Sequence, residues 1–319
     1  MPEVIVFAVS ITAVVVGADW LGNSATHIAR SFSLSRVLIG ATIVSVATTL
    51  PEITIAVFSG AEHSPGIGLG TVLGSPIANI GLIFGILLFF SKAGFDKVYF
   101  SRTIQFFLIV LALVFVFSLN GSVSLLSSVV LIFFGLLYLA FQFVVGKQEA
   151  GLFEEVESRF ERLKGFFTDR KNYHHLYYLV LGASLLVLGA HFLVNSAAIL
   201  AASTGIPSIV IGIVVVAFGT SLPELFIAVN SIIKNRAGLG AGNLFGASVL
   251  DLSLALGLGG VFNGVTIRPS ELYITVGVLA VLSSISLLYV FEKIPPKILG
   301  VLLIGTYFIA LIWFGGFDR

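Results

Sequence analysis

The sequence predicts an all-α polytopic membrane protein with ten transmembrane helices arranged as two inverted repeats of five. Apolar residues make up 57% of the 319 residues and only 10% are charged, whereas soluble domains carry about 25% charged residues. Ten apolar stretches approach the roughly 20 residues that span a bilayer. The third observation is an internal repeat, described below. The apolar stretches are residues 3–24, 36–60, 66–91, 103–119, 122–146, 173–202, 207–233, 239–262, 271–291 and 297–316.

The positive charges predict how these helices are oriented. Numbering the breaks between helices from the N-terminus, all but two of the 17 Lys and Arg residues fall in odd-numbered breaks. The exceptions are Arg268, in the eighth break, and Arg319, at the C-terminus. Because positively charged residues stay cytoplasmic in short loops, both termini are expected outside the cell membrane. The chain has no cysteine, which excludes disulfides and thiolate metal sites.

One long connection separates the two halves of the chain. Residues 147–172 are rich in charge, and Val156, Phe160, Leu163 and Phe167 recur among the charges at helical spacing. This pattern predicts an amphipathic helix at the cytoplasmic interface; a docking site for a protein partner is the alternative. The predicted organisation is therefore a first five-helix repeat at 1–146, a linker at 147–172 and a second five-helix repeat at 173–319.

The two halves are related in sequence. A shift of 172 residues aligns 36–86 with 208–258 without a gap, and about a third of the aligned positions are identical. Five spans is an odd number, so the second copy enters the membrane from the opposite side. Inverted repeats are typical of secondary transporters, whose substrate sites lie near the midplane between the copies. The alternative is that the duplication produced a membrane scaffold without a transport function.

The most similar segments each place a carboxylate midway along an apolar stretch. They read Ala-Thr-Thr-Leu-Pro-Glu at 47–52 and Gly-Thr-Ser-Leu-Pro-Glu at 219–224. A carboxylate at the centre of a transmembrane helix costs about 2.5–3.5 kcal/mol, and such residues usually serve a function. Each proline frees the carbonyl four residues earlier, so we expect the helix to break at Pro51 and at Pro223.

The repeated segments together supply an all-oxygen cluster. Hydroxyl groups, freed carbonyls and carboxylates are the ligands that hard cations require, and Ca2+ takes six to eight oxygens. The hydroxyl groups belong to Thr48, Thr49, Thr220 and Ser221, and the carboxylates to Glu52 and Glu224. Competition of different cations for one acidic site is the physical basis of exchange.

A second pair of segments adds buried oxygen. Ser75 and Asn79 are four residues apart, and Ser248 and Asp251 are three apart, so each pair shares one helix face. Glu52, Glu224 and Asp251 could hold one Ca2+ or two to three monovalent ions, with surplus charge neutralised by protonation. Glycines in both segments predict close helix packing; they are Gly66, Gly68, Gly70 and Gly74, and Gly238, Gly240, Gly242 and Gly246.

Asp19 and His191 are the other two ionisable residues of the predicted spans, and they occupy equivalent positions in the two copies. They could gate the site or relay protons. The favoured interpretation is a structural pair of helix-end contacts.

These segments resemble the two alpha repeats of the calcium/cation antiporter superfamily, nearest to its sodium/calcium exchanger branch. The resemblance implies alternating access at a site formed by the second, third, seventh and eighth helices, with long, sliding first and sixth helices. It implies Ca2+ ligation by Glu52, Glu224 and the carbonyls of Thr48 and Thr220. It implies Na+ ligation by Thr49, Ser75, Asn79, Ser221 and Asp251 and by carbonyls near Ser45 and Ala217.

The chain departs from the exchanger pattern at three positions. Exchangers of this branch usually carry a hydroxyl where Ala247 stands, Asn where Thr71 stands and Gly where Ala47 stands. The missing oxygen at Ala247 weakens one sodium site, and Ser248 is the neighbour that could replace it. Na+/Ca2+ exchange ranks first and H+/Ca2+ exchange second; a cation channel and an intramembrane enzyme rank below them.

The expected partners are the transported ions, Ca2+ with Na+ or H+, and the lipid bilayer. We expect no cofactor, no nucleic acid and no enzymatic activity. The chain has no H-E-x-x-H pair, and Gln148 stands where a phosphate-binding loop needs Ser or Thr.

Overall fold

The computed structural model describes residues 2–31, 45–61, 65–91, 97–150, 173–235, 237–263, 265–266, 268–292 and 294–315. These residues are almost entirely helical. The predicted amphipathic helix lies outside the described residues, since only 147–150 of that linker are described, as the end of the preceding helix. The first part of the predicted second span, residues 36–44, also lies outside them.

Fourteen α-helices and one pair of short strands make up the described chain. The first-half elements are α1 (Pro2–Ser31), α2 (Ser45–Ala61), α3 (Pro65–Ile77), α4 (Phe84–Phe90), α5 (Lys97–Ser118), β1 (Ser122–Val123) and α6 (Leu125–Ala150). The second-half elements are α7 (Tyr173–Thr204), α8 (Ser208–Ile211), α9 (Ala217–Thr220), α10 (Leu222–Ile233), α11 (Ala237–Leu250), α12 (Leu256–Asn263), β2 (Val265–Thr266), α13 (Pro269–Val290) and α14 (Pro296–Gly315).

The helices identify the chain as a multi-pass integral membrane protein. Eight helical segments of the described residues are long and apolar enough to cross a membrane. A ninth span results if the two helical stretches on either side of Ser221, which are bent by 43°, count as one. The predicted second span has only 17 described residues, Ser45–Ala61, so the count of ten stays a prediction.

Two equivalent segments form the centre of the bundle. Pro65–Phe90 and Ala237–Val261 are the most buried of the candidate spans, and each contains a π-helical segment. These π-helical segments, Ala78–Ile83 and Asp251–Ala255, join α3 to α4 and α11 to α12. A third π-helical segment, Gly212–Val216, joins α8 to α9. π-Helical turns are rare and occur frequently at functional sites.

Glycines allow the central helices to approach each other, as predicted. A Cβ atom on Gly70 would lie 2.2 Å from the carbonyl oxygen of Ile209, and one on Gly74 would lie 2.7 Å from the Cα of Ile213. Any larger residue would therefore push α3 away from the helix that begins at α8. This contact joins the first half of the chain to the second.

The two longest helices, α1 and α7, pack against each other in opposite directions. Trp20 contacts Tyr178 edge to face, with ring centroids 5.2 Å apart, while a Cβ atom on Gly189 would lie 3.0 Å from Val14. Higher numbers on α7 thus meet lower numbers on α1. The sliding of this pair, which the resemblance implies, stays a prediction.

Contacts between distant parts of the chain hold the two ends of the bundle together. At one end β1 and β2 pair antiparallel, Ser122 with Thr266 and Val123 with Val265; we call this end the strand face. At the other end the Lys97 ammonium group pairs with the Glu292 carboxylate; we call this end the Lys97 face. Helices α5 and α13 run in opposite directions between these two faces.

Candidate ion-binding site

The two prolines act differently, so the prediction of two broken helices is half wrong. In the second copy the helix breaks at Ser221, between α9 and α10. In the first copy α2 continues through Pro51. The residue four before the proline accounts for the difference in part, because Ala47 favours a helix whereas Gly219 disfavours it by about 1 kcal/mol. Gly219 also packs tightly against the side chain of Ile11.

Three predicted carboxylates are buried in the bundle. Glu52 is 0% exposed, and Glu224 and Asp251 are each 1% exposed. Oε2 of Glu52 and both carboxylate oxygens of Glu224 and of Asp251 have no hydrogen-bond partner in the structure. No Lys or Arg is buried among the described residues. Since an uncompensated buried ion costs several kcal/mol, the site favours the binding of cations.

Hydroxyl groups lie close to two of the carboxylates. The side chain of Thr220 faces Glu52, and the side chain of Thr48 faces Glu224. The Ser75 hydroxyl lies 3.2 Å from Oε1 of Glu52, to which it donates, and 2.9 Å from the Ser221 hydroxyl. Residues of α2, of α3 and of the break before α10 therefore meet at one place.

The predicted carbonyl ligands lie beside the same hydroxyl groups. The hydroxyls of Thr49 and Thr48 donate to the Ser45 carbonyl over 2.7 and 3.2 Å. The Thr220 hydroxyl donates to the Ala217 carbonyl over 3.2 Å. These bonds leave the lone pairs of each hydroxyl oxygen available to a cation, because a hydroxyl group has two acceptor positions besides its proton.

Asn79 and Asp251 lie in the two equivalent π-helical segments. Both side chains are buried, and neither the amide of Asn79 nor the carboxylate of Asp251 has a hydrogen-bond partner. Asp251 lies close enough to Glu52 and Glu224 for their charges to interact, and it also faces Ser75. The sequence predicted the shared helix face but not the π-helical backbone.

The position of Ala247 is buried and has no oxygen in its side chain. The neighbouring Ser248 hydroxyl donates to the Leu244 carbonyl of its own helix over 2.8 Å. It is thus engaged with the backbone of α11.

One polar residue beside the site was not among the predicted ligands. Asn243 accepts a hydrogen bond from the Ser45 hydroxyl over 3.2 Å, and its Nδ2 atom has no partner. It occupies the position equivalent to Thr71, whose hydroxyl bonds to the Ile67 carbonyl. A polar residue at matching positions of two apolar helices was the signal that could have identified it.

Asp19 and His191 do not occupy equivalent surroundings. Asp19 is exposed on α1. The His191 ring lies against Phe58 of α2, with centroids 5.8 Å apart, and against Phe192, at 5.2 Å. Their equivalence in sequence therefore does not extend to their exposure.

The carboxylates need neutral oxygens to complete a cation site. Within the described ranges, no three His, Asp or Glu side chains lie close enough together to hold a metal ion. A cation here would be bound by carboxylates together with hydroxyl and carbonyl oxygens. Hard cations such as Ca2+ and Na+ prefer oxygen ligands of this kind, whereas soft transition metals prefer sulfur or nitrogen ligands.

Comparison with known proteins identifies relatives along the whole chain. The sequence profile of a family described as sodium/calcium exchanger protein matches residues 3–144 and 174–316. An uncharacterized membrane protein of Methanocaldococcus jannaschii is 31% identical over 300 residues, which cover 92% of each chain. Sodium/calcium exchanger MaX1 of Methanosarcina acetivorans is 28% identical over 322 alignment positions, gaps included, and the alignment covers 90% of each chain.

A solved structure has the same fold. The sodium-calcium exchanger NCX_Mj, from a crystal soaked with 2.5 mM Na+ and 10 mM Sr2+, matches with a TM-score of 0.67 and 29% sequence identity. The match covers 97% of this chain and 98% of the solved one.

Proposed function

Because the chain belongs to the sodium/calcium exchanger protein family, we propose that it is a secondary-active antiporter that exchanges Ca2+ for Na+ across the cell membrane. The observation that carries this proposal is the pair of buried carboxylates, Glu52 and Glu224, each facing a threonine of the opposite copy. A site built in equal parts from both copies can change its accessibility when one copy moves relative to the other.

Glu52 and Glu224 would bind Ca2+. Together they supply two negative charges, which balance one divalent cation, and their unpartnered oxygens leave coordination positions open. The carbonyls of Thr48 and Thr220 would complete the site, since these carbonyls lie in the segments that the prolines disturb. Hard oxygen ligands of this kind suit Ca2+.

The sodium ions would bind to the neutral oxygens around the same carboxylates. Ser75 and Ser221, which are in contact, and Thr49 supply hydroxyl oxygens. Asn79 and Asp251 supply unpartnered oxygens on the π-helical segments. The carbonyls near Ser45 and Ala217 complete the set. Because Na+ and Ca2+ would share the carboxylates, the binding of one disfavours the binding of the other.

The proposed architecture has ten spans in two inverted repeats, at 1–146 and 173–319, with both termini outside. The antiparallel packing of α1 and α7 supports the inversion, because these helices are equivalent in the repeat. The contacts at the strand face and at the Lys97 face support the predicted number of spans. Strand β1, which directly follows the fourth predicted break, pairs with β2 in the eighth, and the Lys97–Glu292 contact pairs the third break with the ninth. Each contact joins breaks expected on one side of the membrane.

H+/Ca2+ exchange is the second candidate. Ala247 favours it, because the position where exchangers carry a hydroxyl is buried and apolar here, which weakens one sodium site. Glu52, Glu224 and Asp251 would then carry the protons.

Flux measurements on reconstituted protein test the proposal. Purified protein in liposomes is loaded with Na+ and diluted into Na+-free buffer that contains 45Ca2+. Outward Na+ flow is expected to drive 45Ca2+ uptake, and a proton gradient of the same size is expected to drive less. 45Ca2+ uptake that is driven by the proton gradient alone would show that the counter-ion is H+ and not Na+. Passive 45Ca2+ flux without counter-ion would indicate a channel and refute exchange.

A further inference from the structure

A hydrogen bond between hydroxyl groups joins α3 to the break before α10. The Ser75 oxygen lies 2.9 Å from the Ser221 oxygen, so this bond connects the two copies. A shift of 172 residues pairs Ser75 with Ala247 and Ser221 with Thr49. Ala247 has no side-chain oxygen, and the Thr49 hydroxyl donates to the Ser45 carbonyl of its own helix over 2.7 Å. The equivalent bond therefore cannot form between α11 and α2.

A different hydrogen bond joins α11 to α2, one turn away from Ala247. The Ser45 hydroxyl donates to Oδ1 of Asn243 over 3.2 Å. Ser45 precedes Thr49 by four residues, and Asn243 precedes Ala247 by four. Residues four apart lie on one helix face, so the bond of Asn243 is on the same two faces as the bond that Ala247 cannot form.

The other copy has the reverse arrangement at this turn. The repeat pairs Ser45 with Ala217, and Asn243 with Thr71. Ala217 has no hydroxyl group, and the Thr71 hydroxyl donates to the Ile67 carbonyl of its own helix over 2.8 Å. Helix α3 therefore makes its polar contact with the other copy at one turn, and α11 makes its own at the preceding turn.

Equivalent glycines bring the facing helices close together in both copies. A Cβ atom on Gly246 of α11 would lie 3.0 Å from the Ser45 hydroxyl oxygen, and one on Gly74 of α3 would lie 2.8 Å from Cβ of Ala217. The backbones thus approach each other in the same way, and the polar partners differ. The carbonyls of Ser45 and Ala217 are proposed Na+ ligands, so a contact that fixes Ser45 also fixes a ligand.

The hydrogen bond between Ser45 and Asn243 is closed to water. Ser45 is 0% exposed and Asn243 is 2% exposed. The hydroxyl group of Tyr138, on α6, lies beside them, since a Cβ atom on Gly246 would also lie 3.0 Å from that oxygen. Removing one partner of a buried hydrogen bond is costly, because no water takes its place. The bond is therefore expected to restrict the movement of Ser45.

We propose that Asn243 is a positioning residue of the ion site. Through its hydrogen bond with the Ser45 hydroxyl it holds the Ser45 carbonyl in place for Na+, and it thereby compensates for the hydroxyl group that Ala247 lacks. This inference rests on the proposed function. Asn243 does not itself bind the cation. Its loss therefore weakens Na+ binding and leaves Ca2+ binding, at Glu52 and Glu224, unchanged.

Substitutions that exchange residue types between the copies test this role. Ser45→Ala keeps the carbonyl and introduces the residue type of Ala217, and Asn243→Thr introduces that of Thr71. Each is expected to raise the Na+ concentration for half-maximal binding by about twofold to tenfold, the factor that corresponds to one hydrogen bond. The double variant is expected to match the single variants, because both substitutions remove the same bond.

Binding is measured as the increase in the midpoint temperature of thermal unfolding in detergent, titrated separately with Na+ and with Ca2+. The half-maximal Ca2+ concentration is expected to be the same in all variants. Thr71→Val is the matched control, since it removes a buried hydroxyl that bonds to its own helix, and it should leave the Na+ titration unchanged. Ala247→Ser should lower the half-maximal Na+ concentration more in Ser45→Ala than in wild-type protein, where Asn243 already holds Ser45.

Unchanged Na+ titrations of Ser45→Ala and Asn243→Thr would overturn the proposal, and so would equal losses of Na+ and Ca2+ binding. An effect of Ala247→Ser that is the same in both backgrounds, or a wild-type protein that Na+ does not stabilise, would also overturn it. The titrations need no transport activity. If wild-type protein fails to move 45Ca2+ against Na+ but the variants bind Na+ as expected, the proposed exchange fails and the role of Asn243 stands.

Discussion

Replacing Glu52 by Gln is expected to have opposite effects on stability and on calcium binding. The carboxylate is fully buried, accepts one hydrogen bond from Ser75 and has one oxygen without a partner. Glutamine has nearly the same shape, keeps the acceptor for Ser75 and removes the charge. Because a buried, uncompensated charge costs several kcal/mol and glutamine removes that charge, we expect the ion-free variant to be more stable, by about 1–3 kcal/mol.

The same substitution leaves Ca2+ with one carboxylate in place of two. Removing one partner of a buried charge pair costs about 3–5 kcal/mol, which corresponds to a loss of Ca2+ affinity of roughly two to three and a half powers of ten. Ca2+ at 100 times the wild-type Kd stabilises wild-type protein by about 2.7 kcal/mol. At the same concentration, a variant with a 150-fold weaker site is stabilised by only about 0.3 kcal/mol.

Thermal unfolding in detergent, with and without Ca2+, measures both effects. Without Ca2+, Glu52→Gln should unfold at a higher midpoint temperature than the wild-type protein. Ca2+ should then raise that midpoint temperature much less than it does for the wild-type protein. Glu292→Gln is the control, because that carboxylate is 71% exposed in a surface pair with Lys97 and such pairs contribute about 0–1 kcal/mol. A Glu52→Gln variant that keeps the full Ca2+-dependent increase would refute the assignment of Glu52 as a ligand.

Four further outcomes are expected. Asp251→Asn should impair Na+ activation of 45Ca2+ flux more than Ca2+ binding; unchanged Na+ activation would remove Asp251 from the site. Ala247→Ser should lower the Na+ concentration for half-maximal flux, and no change would mean that this position contacts no Na+. Gly70→Ala should lower the midpoint temperature of thermal unfolding, because its Cβ would lie 2.2 Å from a carbonyl oxygen. Gly277→Ala, whose Cβ would have nothing within 4 Å, should raise the midpoint temperature slightly, because alanine stabilises a helix by up to about 1 kcal/mol relative to glycine. Equal effects of the two glycine substitutions would contradict the close contact. Glu224→Gln should abolish 45Ca2+ uptake while the protein stays folded, and wild-type flux would contradict its role.

The local pattern of the chain predicted most of its membrane segments and the burial of its three central carboxylates. Apolar length predicted the helices because a bilayer requires about 20 apolar residues per span. The intramembrane position of Glu52, Glu224 and Asp251 followed from their placement in apolar stretches, and all three are buried. The glycines predicted to permit close packing include Gly70 and Gly74, which lie at the tightest contact of α3.

Other features depended on contacts between distant parts of the chain. Pro51 and Pro223 have the same local sequence signal, but only the second interrupts its helix, because the surrounding residues decide whether a lost hydrogen bond is tolerated. Asp19 and His191 are equivalent in sequence, but Asp19 is exposed whereas the His191 ring packs against Phe58. The matching polar positions of Thr71 and Asn243 were visible in the sequence, but the hydrogen bond of Asn243 with Ser45 depends on how α11 packs against α2.

The sequence by itself determined that this is a membrane protein of two related halves, with carboxylates and hydroxyl groups repeated at matching depth. These properties are local, since they depend on hydrophobic length and on residue type along one helix. The tertiary structure decided which oxygens meet. Thr220 faces Glu52 and Thr48 faces Glu224 because the two copies pack against each other across the bundle.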